Sequence, residues 1–486
     1  MRIRPLRIAY LGSALALGAC GVPGVRGVRG TSPAPQVPWT PPAPRRNPPA
    51  PIAPLQVPPD LAQRIAQLRL ADVLDLALRN NTSTRAAWAD ARSAAYAYGA
   101  AQGQYFPSID LTGTATTLKT VPSQGRSAVR QSVYGPTLNL TWLLLDFGGR
   151  GGAIATARDA LLAADWTHNA VIQDVVLGVE TAFFRYVSTR ALLVAQRTTL
   201  TEADSNLIAA KQRHDVGLAT IADVLQAQTA RSQAELNVET TSGALQTARG
   251  ALAVSMGYPA NLPYDIDSLP LPPPPPAINE SVDSLIARAV ASRPDLAAAR
   301  ADADAARARV SIARGAALPS LLVTGTAGET YFANRAPVPG NSYTLSVGLQ
   351  VPLFAGGAHV NGVRGASAAA DAAAARAEGF AQQVVYQVFT SYYALQTASQ
   401  RVRTSDDLLA SARQSEQVAL GRYRAGAGSV LDLLSAEGAL ADARAQQVDA
   451  HFSWTATLAQ LAHDVGILGI DGSSPLRFQT DTTGTH

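Results

Sequence analysis

The sequence predicts a mixed α+β membrane protein with an internal two-fold repeat. A proline-free stretch, residues 148–217, carries an apolar residue at every seventh position, at Ile172, Val179, Tyr186, Leu193, Leu200 and Leu207. Strict spacing of seven marks one seam of a long helix packed as in a coiled coil. The pattern returns 209 positions later, at Val388, Leu395, Val402 and Leu409. In both places, two segments of alternating apolar and polar residues precede the helix and predict a β-hairpin.

Each repeat is predicted to contain an opening helix, a hairpin, a long helix and a return helix. In the first repeat these elements cover residues 70–104, strands near 108–116 and 138–144, and a long helix over 148–217. In the second repeat the corresponding ranges are 285–317, 321–327, 343–351 and 357–426. The seams of the return helices are predicted at Val224, Val238, Leu245 and Leu252 and, in the second copy, at Leu433, Leu440, Trp454 and Leu461.

Composition divides the chain further. A lipoprotein signal peptide is expected at residues 1–19 and a lipidated, proline-rich tether at 20–62. Proline lacks an amide N–H and disfavours helix in the residue before it, so the tether is extended. The first repeat is placed at 63–262, a proline-rich linker at 263–280, the second repeat at 281–467 and a C-terminal tail at 468–486.

The first twenty residues predict export. Three arginines precede an apolar run that is too short to span a membrane, and the run ends in Leu-Gly-Ala-Cys at Cys20. This ending resembles a bacterial lipobox, in which the cysteine becomes the lipidated first residue of the mature protein. The alternative is an ordinary signal peptide with an incidental cysteine. Because Cys20 is the only cysteine, no internal disulfide or thiolate metal site is available.

The residue types argue against an enzyme, and we expect no catalytic site, metal or cofactor. Lys119 and Lys211 are the only lysines, which excludes a Walker-type phosphate loop. The glycine-rich residues 148–152 look like a phosphate cradle, but without a dinucleotide fingerprint a strand-to-helix hinge is the better interpretation. The six histidines lack zinc-binding spacing. A net charge of +4, small and scattered, argues against nucleic acid as a partner.

Matching sequences follow the two long helices. The first reads Arg-His-Asp-Val-Gly from Arg213 to Gly217, and the second reads Arg-Tyr-Arg-Ala-Gly from Arg422 to Gly426. Glycine just past a helix end is the usual left-handed cap. A threonine or serine three residues after each glycine is suited to N-cap the helix that returns. We call these two turns tip 1 and tip 2.

Two hairpins cannot enclose a membrane pore alone, because lipid leaves the unpaired backbone groups of sheet edges unsatisfied. If the strands cross a membrane, several chains contribute to one barrel, and about ten alternating residues per strand suit a tilted crossing. Aromatic residues lie where the rims would be, at Tyr105, Phe106, Tyr134, Trp142, Tyr331, Phe332, Tyr343 and Phe354. The alternative is a soluble sandwich, since Gly113, Ala115, Gly325 and Ala327 weaken the apolar faces.

The order of elements, the repeat and the two R-x-x-x-G tips, followed by A-x-x-L-x-A in the first repeat and L-x-x-L-x-A in the second, resemble the TolC-like outer-membrane efflux proteins over about residues 60–467. The lipobox points to the lipidated branch that serves resistance-nodulation-division (RND) pumps. The resemblance implies a homotrimer in which four strands per chain close a twelve-stranded outer-membrane β-barrel, continuous with a long α-helical periplasmic barrel. The implied partners are outer-membrane lipid, a periplasmic adaptor and an inner-membrane RND pump. The implied function is passive conduction of small molecules, such as drugs, to the exterior.

The resemblance also assigns roles to residues. The tips against which the adaptor docks correspond to Arg213, Val216, Gly217 and Leu218 and, in tip 2, to Arg422 and Gly426. Leu431 and Asp432 correspond to the periplasmic gate on the return helix. A second acid often follows three positions later in the family, but Ser435 stands there, which puts a second carboxylate ring in doubt.

Asp432 has two interpretations. Three copies of this carboxylate around a narrow pore would favour cations and raise the pKa of the group. In the other interpretation Asp432 is a surface acid favoured by the dipole at a helix N-terminus.

Two other functions remain as alternatives. A duct for type I protein secretion shares the fold, although such ducts often lack a lipobox. A lipid-anchored coiled-coil scaffold without a pore belongs to a different class, and it predicts no conductance in planar bilayers.

Overall fold

The structure is a computed structural model and describes residues 68–120, 129–266, 280–333 and 340–468. The first repeat contains α1 (Leu70–Asn80), α2 (Thr82–Gly103), β1 (Ser108–Thr120), β2 (Val129–Leu145), α3 (Gly149–Asp215) and α4 (Ile221–Ser255). The second repeat contains α5 (Val282–Ser292), α6 (Pro294–Gly315), β3 (Ser320–Phe332), β4 (Gly340–Gln350), α7 (Ala358–Arg424) and α8 (Val430–Asp464). The two repeats have the same order of elements.

Some predictions concern residues outside those ranges. They are the signal peptide at 1–19, Cys20, the tether at 20–62, the linker apart from residues 263–266 and 280, and the tail apart from residue 468. These stay predictions.

The two long helices, α3 and α7, are continuous over 67 residues each, which is about 100 Å at 1.5 Å per residue. Four α7 side chains of the predicted seam are at most 3% exposed, namely Val388, Leu395, Val402 and Leu409. In α3 the buried members are Val179, Tyr186, Leu193 and Leu207, and Ile172 and Leu200 are half-buried. The long helices are therefore confirmed in both repeats.

The opening helices differ from the prediction, because each is two helices and not one. Asn81 has extended backbone angles (φ −63°, ψ 131°) and its side chain accepts a hydrogen bond from the N–H of Ser83, so it ends α1 and caps α2. Arg293 is extended because Pro294 follows it, and a residue before proline is disfavoured in the helical region. The predicted continuous helices over 70–104 and 285–317 are therefore wrong at these two positions.

Each break receives the end of a return helix. Gly257, which ends α4 with φ +80°, lies so close to Asn80 that a Cβ atom would stand 2.8 Å from its carbonyl oxygen. Gly466, at the end of α8 with φ +77°, approaches Arg293 in the same way, at 3.0 Å. Since side chains are strained at such φ values and no space is left for one, both positions require glycine. We call these two contacts the glycine joints.

The seam of the first return helix also differs from the prediction. In α4 the fully buried row consists of small residues at spacing seven, Ala227, Ala234, Thr241 and Ala248. Of the predicted seam, Leu252 is buried, whereas Val224, Val238 and Leu245 are half-buried. Small side chains allow α3 and α4 to approach closely, which larger residues would prevent. In α8 the predicted residues Leu433, Leu440, Trp454 and Leu461 are all buried.

The helices lie side by side in two rows that share α3 and α7. Near the sheet the contacts follow the order α2, α3, α6, α7, and near the tips they follow the order α4, α3, α8, α7. Thus α3 has neighbours on both sides, while α7 ends both rows. No described helix is both long and apolar enough to cross a membrane.

The four strands form one antiparallel sheet in the order β1-β2-β3-β4. Pairing of β2 with β3, for example Leu140 opposite Gly325, joins the hairpins of the two repeats. Within the described residues, β1 and β4 are the edges of the sheet and have no strand beyond them.

The register places apolar residues of all four strands on one face. That face carries Ile109, Leu111, Leu138, Leu140, Trp142, Val323, Ala327, Tyr343, Leu345, Val347 and Leu349. The other face carries Asp110, Thr112, Asn139, Thr141, Thr324, Thr326, Thr344 and Ser346. Gly325 does not interrupt the apolar face, because a Cβ atom there would already meet Leu140 at 3.3 Å and Leu345 at 3.7 Å. The neighbouring leucines cover this glycine.

The aromatic residues fall at both ends of the sheet, as predicted for rims. At the loop end, the rings of Tyr134 and Tyr331 stack with centroids 5.5 Å apart. At the helix end, the indole N–H of Trp142 donates to the carbonyl of Tyr105 at 2.9 Å. Tyr343 lies inside the sheet opposite Ala327, so it is not a rim residue.

Candidate functional site

Both long helices end in the same cap. Gly217 and Gly426 have φ values of +76° and +72°. At each tip the N–H of the glycine donates to the carbonyl three residues before it, and the next N–H donates to the carbonyl five residues before its own position. These bonds satisfy carbonyls that the helix leaves open, and they need a left-handed residue that glycine provides without strain. The predicted glycine caps are confirmed.

Both return helices begin with a capping box. In α4, Thr220 and Asp223 exchange hydrogen bonds between side chain and main chain at 3.2 and 2.8 Å. In α8, Ser429 and Asp432 do the same at 3.1 and 3.2 Å. The predicted N-caps are therefore present, and each acid satisfies an N–H group at its helix start.

Asp432 thus acts as a capping acid within one chain. The hydrogen bonds from Ser429, with a smaller contribution from Arg422, hold the pKa of Asp432 below its usual value. Leu431, the other predicted gate residue, is 60% exposed. Both residues are exposed in the single chain, so the gate assignment stays a prediction.

Tip 1 carries an exposed apolar pair that tip 2 lacks. Val216 and Leu218 are 69% and 71% exposed on either side of Gly217. Tip 2 has Ala425 and Ala427 at the corresponding positions. A small apolar surface at an exposed turn is therefore confined to the first repeat.

Arg213, predicted to dock an adaptor, contacts tip 2 of its own chain. Its guanidinium donates to the main-chain carbonyl of Tyr423 at 3.0 Å and lies 4.5 Å from the centre of the tyrosine ring. Tyr423 is 8% exposed and packs against Val430 and Leu433. Arg213 therefore fastens the two tips of one chain to each other.

Above the tips, a half-buried acid that the sequence did not reveal joins α3 to α8. The carboxylate of Glu437 accepts a hydrogen bond from the side-chain amide of Asn206. Burial, opposed by this hydrogen bond and reinforced by nearby acids such as Glu202, raises the pKa of Glu437 to about 7. Arg444 makes a two-pronged ion pair with Glu202 at 2.9 and 3.0 Å. Asn206 and Glu437 lie 231 positions apart, so no local pattern could have paired them.

The far end of α8 is joined to α3 by a histidine. Nε2 of His463 lies 2.9 Å from the carboxylate of Asp174, and Nδ1 lies 3.1 Å from that of Asp464. Burial alone would lower the pKa of His463, but the hydrogen bonds and charges of the two carboxylates outweigh it and raise the pKa above 6.5. The charged imidazole therefore stabilises the α3–α8 contact.

This arrangement predicts a pH dependence. Because folding raises the pKa of His463, its stabilising effect is complete below the unfolded pKa of about 6.5 and is lost as the pH rises through the folded value. We expect wild type to melt at a higher temperature than His463→Gln at pH 5.5, with the difference shrinking by pH 8.5, as measured by circular dichroism. His168→Gln on α3 is the control, since His168 makes no hydrogen bond or ion pair within the described chain. A difference that does not change with pH would contradict the role of the charge.

At the other end of α3, Arg150 holds the sheet to the helices. Its side chain is 8% exposed, lies 3.4 Å from the carboxylate of Asp146 and contacts the ring of Tyr105 at 4.8 Å. Its guanidinium donates to three main-chain carbonyls, those of Gln104, Leu143 and Leu144. The register between β2 and β3 shifts between Leu143 and Leu145, beside two of these carbonyls.

The space beside Gly149 and Gly152, in the glycine-rich residues 148–152, is filled by α6 of the same chain, which leaves no room there for a phosphate. A Cβ atom on Gly152 would stand 2.9 Å from the main-chain nitrogen of Ile312, and one on Gly315 would stand 2.7 Å from the backbone of Gly149. The glycines therefore allow α3 to approach α6, and the hinge interpretation is the one that the structure supports. The described residues contain no cluster of His, Cys, Asp and Glu suited to a metal ion.

The chain is similar to proteins of a known family. A family model described as outer membrane efflux protein matches residues 73–258 and 285–466. Protein CyaE of Bordetella pertussis is 31% identical over 427 residues, which cover 86% of this chain and 88% of that protein. The chain belongs to the outer membrane efflux protein family. Its predicted outer-membrane location and efflux role are thereby confirmed, and members of the family are channel proteins.

A further relative and a solved structure are also similar to this chain. Outer membrane protein OprJ of Pseudomonas aeruginosa is 26% identical, over 77% of this chain and 78% of its own length. The solved outer-membrane channel OprN superposes with a TM-score of 0.75 at 22% identity, covering 83% of this chain and 90% of that one. At this identity the likeness shows the fold alone.

Proposed function

We propose that three copies of this chain form the outer-membrane duct of a tripartite efflux system. The duct passively conducts small molecules from a periplasmic adaptor and an inner-membrane RND pump to the exterior. Three four-stranded sheets close one twelve-stranded barrel, and the helices form a periplasmic tunnel. The observation that carries this proposal is the sheet, which has one apolar face, one polar face and two unpaired edges, and which leads into two 67-residue helices.

The sheet is suited to a membrane only when its edges are closed. Lipid offers no hydrogen-bond partner, so the free N–H and C=O groups of β1 and β4 need strands from other copies. The apolar face then contacts lipid and the polar face lines an aqueous lumen. On β4 the apolar side chains are 66–87% exposed, which would promote aggregation in water but is expected against lipid.

The ends of the helix rows also support closure by further copies. On α7, Tyr386, Phe389 and Tyr393 are 62%, 47% and 45% exposed. The helices at the other ends of the rows carry Trp88 and Val254, which are 51% and 60% exposed. Contact between α7 of one copy and α2 and α4 of the next would bury both sets of side chains, which is favourable at about 25 cal/mol per Å² of apolar surface.

The adaptor would dock at the tips, where Val216 and Leu218 flank Gly217 and where tip 2 adds Arg422 and Gly426. Exposed apolar side chains on a rigid, capped turn lose little entropy when a partner covers them. A matching apolar groove between two helices of the adaptor would supply the complementary surface.

The function test is complementation of a deletion strain. We expect loss of the gene to raise susceptibility to pump substrates, wild type to restore resistance, and Leu218→Asp to be inserted normally but to fail to restore it, because a buried charge disfavours docking. Drug susceptibility and membrane localisation are the readouts. Unchanged susceptibility, with a defect in protein export instead, would favour the secretion duct, and absence of conductance in planar bilayers would favour the scaffold.

The gate assignment predicts a difference between two equivalent acids. Asp432→Asn removes three negative charges from the proposed pore axis of a trimer, whereas Asp223→Asn removes the same capping acid from tip 1. Both variants keep the N-cap residue and a side-chain oxygen that can accept its N–H, so the effect on the two capping boxes should be matched. We expect block of the channel by a trivalent cation in planar bilayers to be lost only in Asp432→Asn, since a carboxylate ring attracts multivalent cations. Equal block in both variants would contradict the gate assignment.

Lipidation at Cys20 is proposed from the lipobox alone. Labelled palmitate should be incorporated into wild type and not into Cys20→Ser, and incorporation in both would contradict it.

A further inference from the structure

The two tips are equivalent by sequence. The contact that Arg213 makes in tip 1 therefore indicates what Arg422 of tip 2, which has no partner among the described residues, can bind. Arg422 lies 209 positions after Arg213, and Tyr423 lies 209 positions after His214. Both pairs occupy the last turn of a 67-residue helix, followed by the same glycine cap. The surroundings of one arginine therefore predict the geometry available to the other.

Within the chain only one of the two arginines is used. Arg213 donates to the carbonyl of Tyr423 at 3.0 Å, and that carbonyl also accepts the N–H of Gly426. Arg422 is exposed and makes no hydrogen bond or ion pair in the part of the chain that the structure describes, although its charge lowers the pKa of Asp432. It is a donor of up to five hydrogen bonds without an acceptor.

The complementary acceptor is the main-chain carbonyl of His214. This carbonyl accepts the N–H of Gly217 at 2.9 Å and no other donor among the described residues, so one lone pair is open. His214 is exposed, in contrast to its counterpart Tyr423, which is 8% exposed beneath Arg213. Among the described residues, tip 2 therefore has a hydrogen-bond donor without an acceptor, and tip 1 has a carbonyl that can accept one more hydrogen bond.

We propose that Arg422 donates to the main-chain carbonyl of the partner subunit's His214, with its guanidinium over the imidazole ring. The inference rests on the proposed trimer, in which tips 1 and 2 alternate around the axis. Tip 2 of one subunit then faces tip 1 of the next subunit, in the same way as tip 1 faces tip 2 within one chain. Six tips are then held by six arginine contacts, three within chains and three between them. The role of Arg422 in this contact is to fasten neighbouring subunits to each other.

Proximity of the two residues is tested in the full-length protein with cysteine pairs and a short bis-maleimide. A crosslinker is needed because the long arginine side chain lets the two Cα atoms lie farther apart than a disulfide can bridge. Arg422→Cys with His214→Cys should give covalent dimers and trimers on denaturing gels. Arg213→Cys with Tyr423→Cys should give linked monomers only. Single variants, which retain Cys20, control for links through that residue. A trimer by mass in which the Arg422/His214 pair does not link overturns the inference alone, and absence of any trimer overturns the proposed function.

The energetic role is tested with a matched arginine. Arg424 is exposed in the same turn and carries the same charge. We expect Arg422→Ala to lower the temperature at which the trimer dissociates, and Arg424→Ala to leave it within 1–2 °C of wild type, since isolated surface charges contribute little. Equal shifts in the two variants, or none in Arg422→Ala, would contradict the contact.

Discussion

Replacing Arg150 with methionine is expected to destabilise the protein by about 3 kcal/mol, since removing one partner from a buried ion pair leaves the other uncompensated. Arg150 contacts the main chain at the ends of α2 and β2, and it pairs with Asp146 just before α3. Its loss removes the positive charge beside Asp146, whose carboxylate then keeps, among the described residues, only the main-chain N–H of residue 150, and it takes a donor away from three carbonyls. The measurement is the free energy of unfolding by urea in detergent micelles.

Arg307→Met is the control for this prediction. Arg307 lies on α6 and pairs with Asp304, and the two side chains are 70% and 55% exposed. A surface ion pair contributes about 0–1 kcal/mol, so this variant should stay close to wild type. If the two variants lose the same stability, Arg150 does not have the joining role assigned to it.

Gly152→Val is expected to cost about 1–3 kcal/mol or to shift α3 away from α6, because overpacking a close contact forces the backbone to move. The added Cβ would stand 2.9 Å from the main-chain nitrogen of Ile312 and 3.0 Å from the Cβ of Ser311. A main-chain atom within a helix cannot move aside as a flexible side chain can. Thermal unfolding, followed by circular dichroism, measures the loss.

The neighbouring glycine provides the control. An added Cβ on Gly151 would have its nearest neighbour, the hydroxyl of Tyr105, at 3.9 Å, which is an ordinary contact. Gly151→Ala should therefore stabilise α3 by up to about 1 kcal/mol through helix propensity. Destabilisation of both variants by the same amount would show that the helix start, and not its contact with α6, needs glycine.

Elements stabilised by a repeated local pattern were predictable from the sequence. The spacing of seven from Val388 to Leu409 gave α7 because each apolar residue of a long helix must return to the same seam. The caps at Gly217 and Gly426 were predictable because few residues adopt positive φ. The strand faces followed from alternation, since side chains on a strand point to opposite sides.

Features that depend on distant contacts were not predictable. Alanine is common on both buried and exposed surfaces, so the buried row of α4, which includes Ala227 and Ala234, carries no clear apolar signal. Asn206 and Glu437 are polar residues on helix faces until the fold brings them together. The two helix breaks, in contrast, had local signals in the sequence, namely the capping residue Asn81 and the proline at position 294. The helical pattern that continues on both sides of each signal led to the prediction of one unbroken helix.

The glycine joints have a mechanical consequence. At Gly257 and Gly466 the helices beside α3 and α7 stop and others begin, so among the described elements only α3 and α7 run unbroken from the sheet to the tips. A twist applied at the tips therefore reaches the sheet as torsion of these two helices. Sliding between the layer near the sheet and the layer near the tips breaks no helix, because only non-covalent contacts at the joints have to shift. The resistance to stretching along the helix axis is therefore provided by α3 and α7, and the glycine joints are where the two layers can slide past each other.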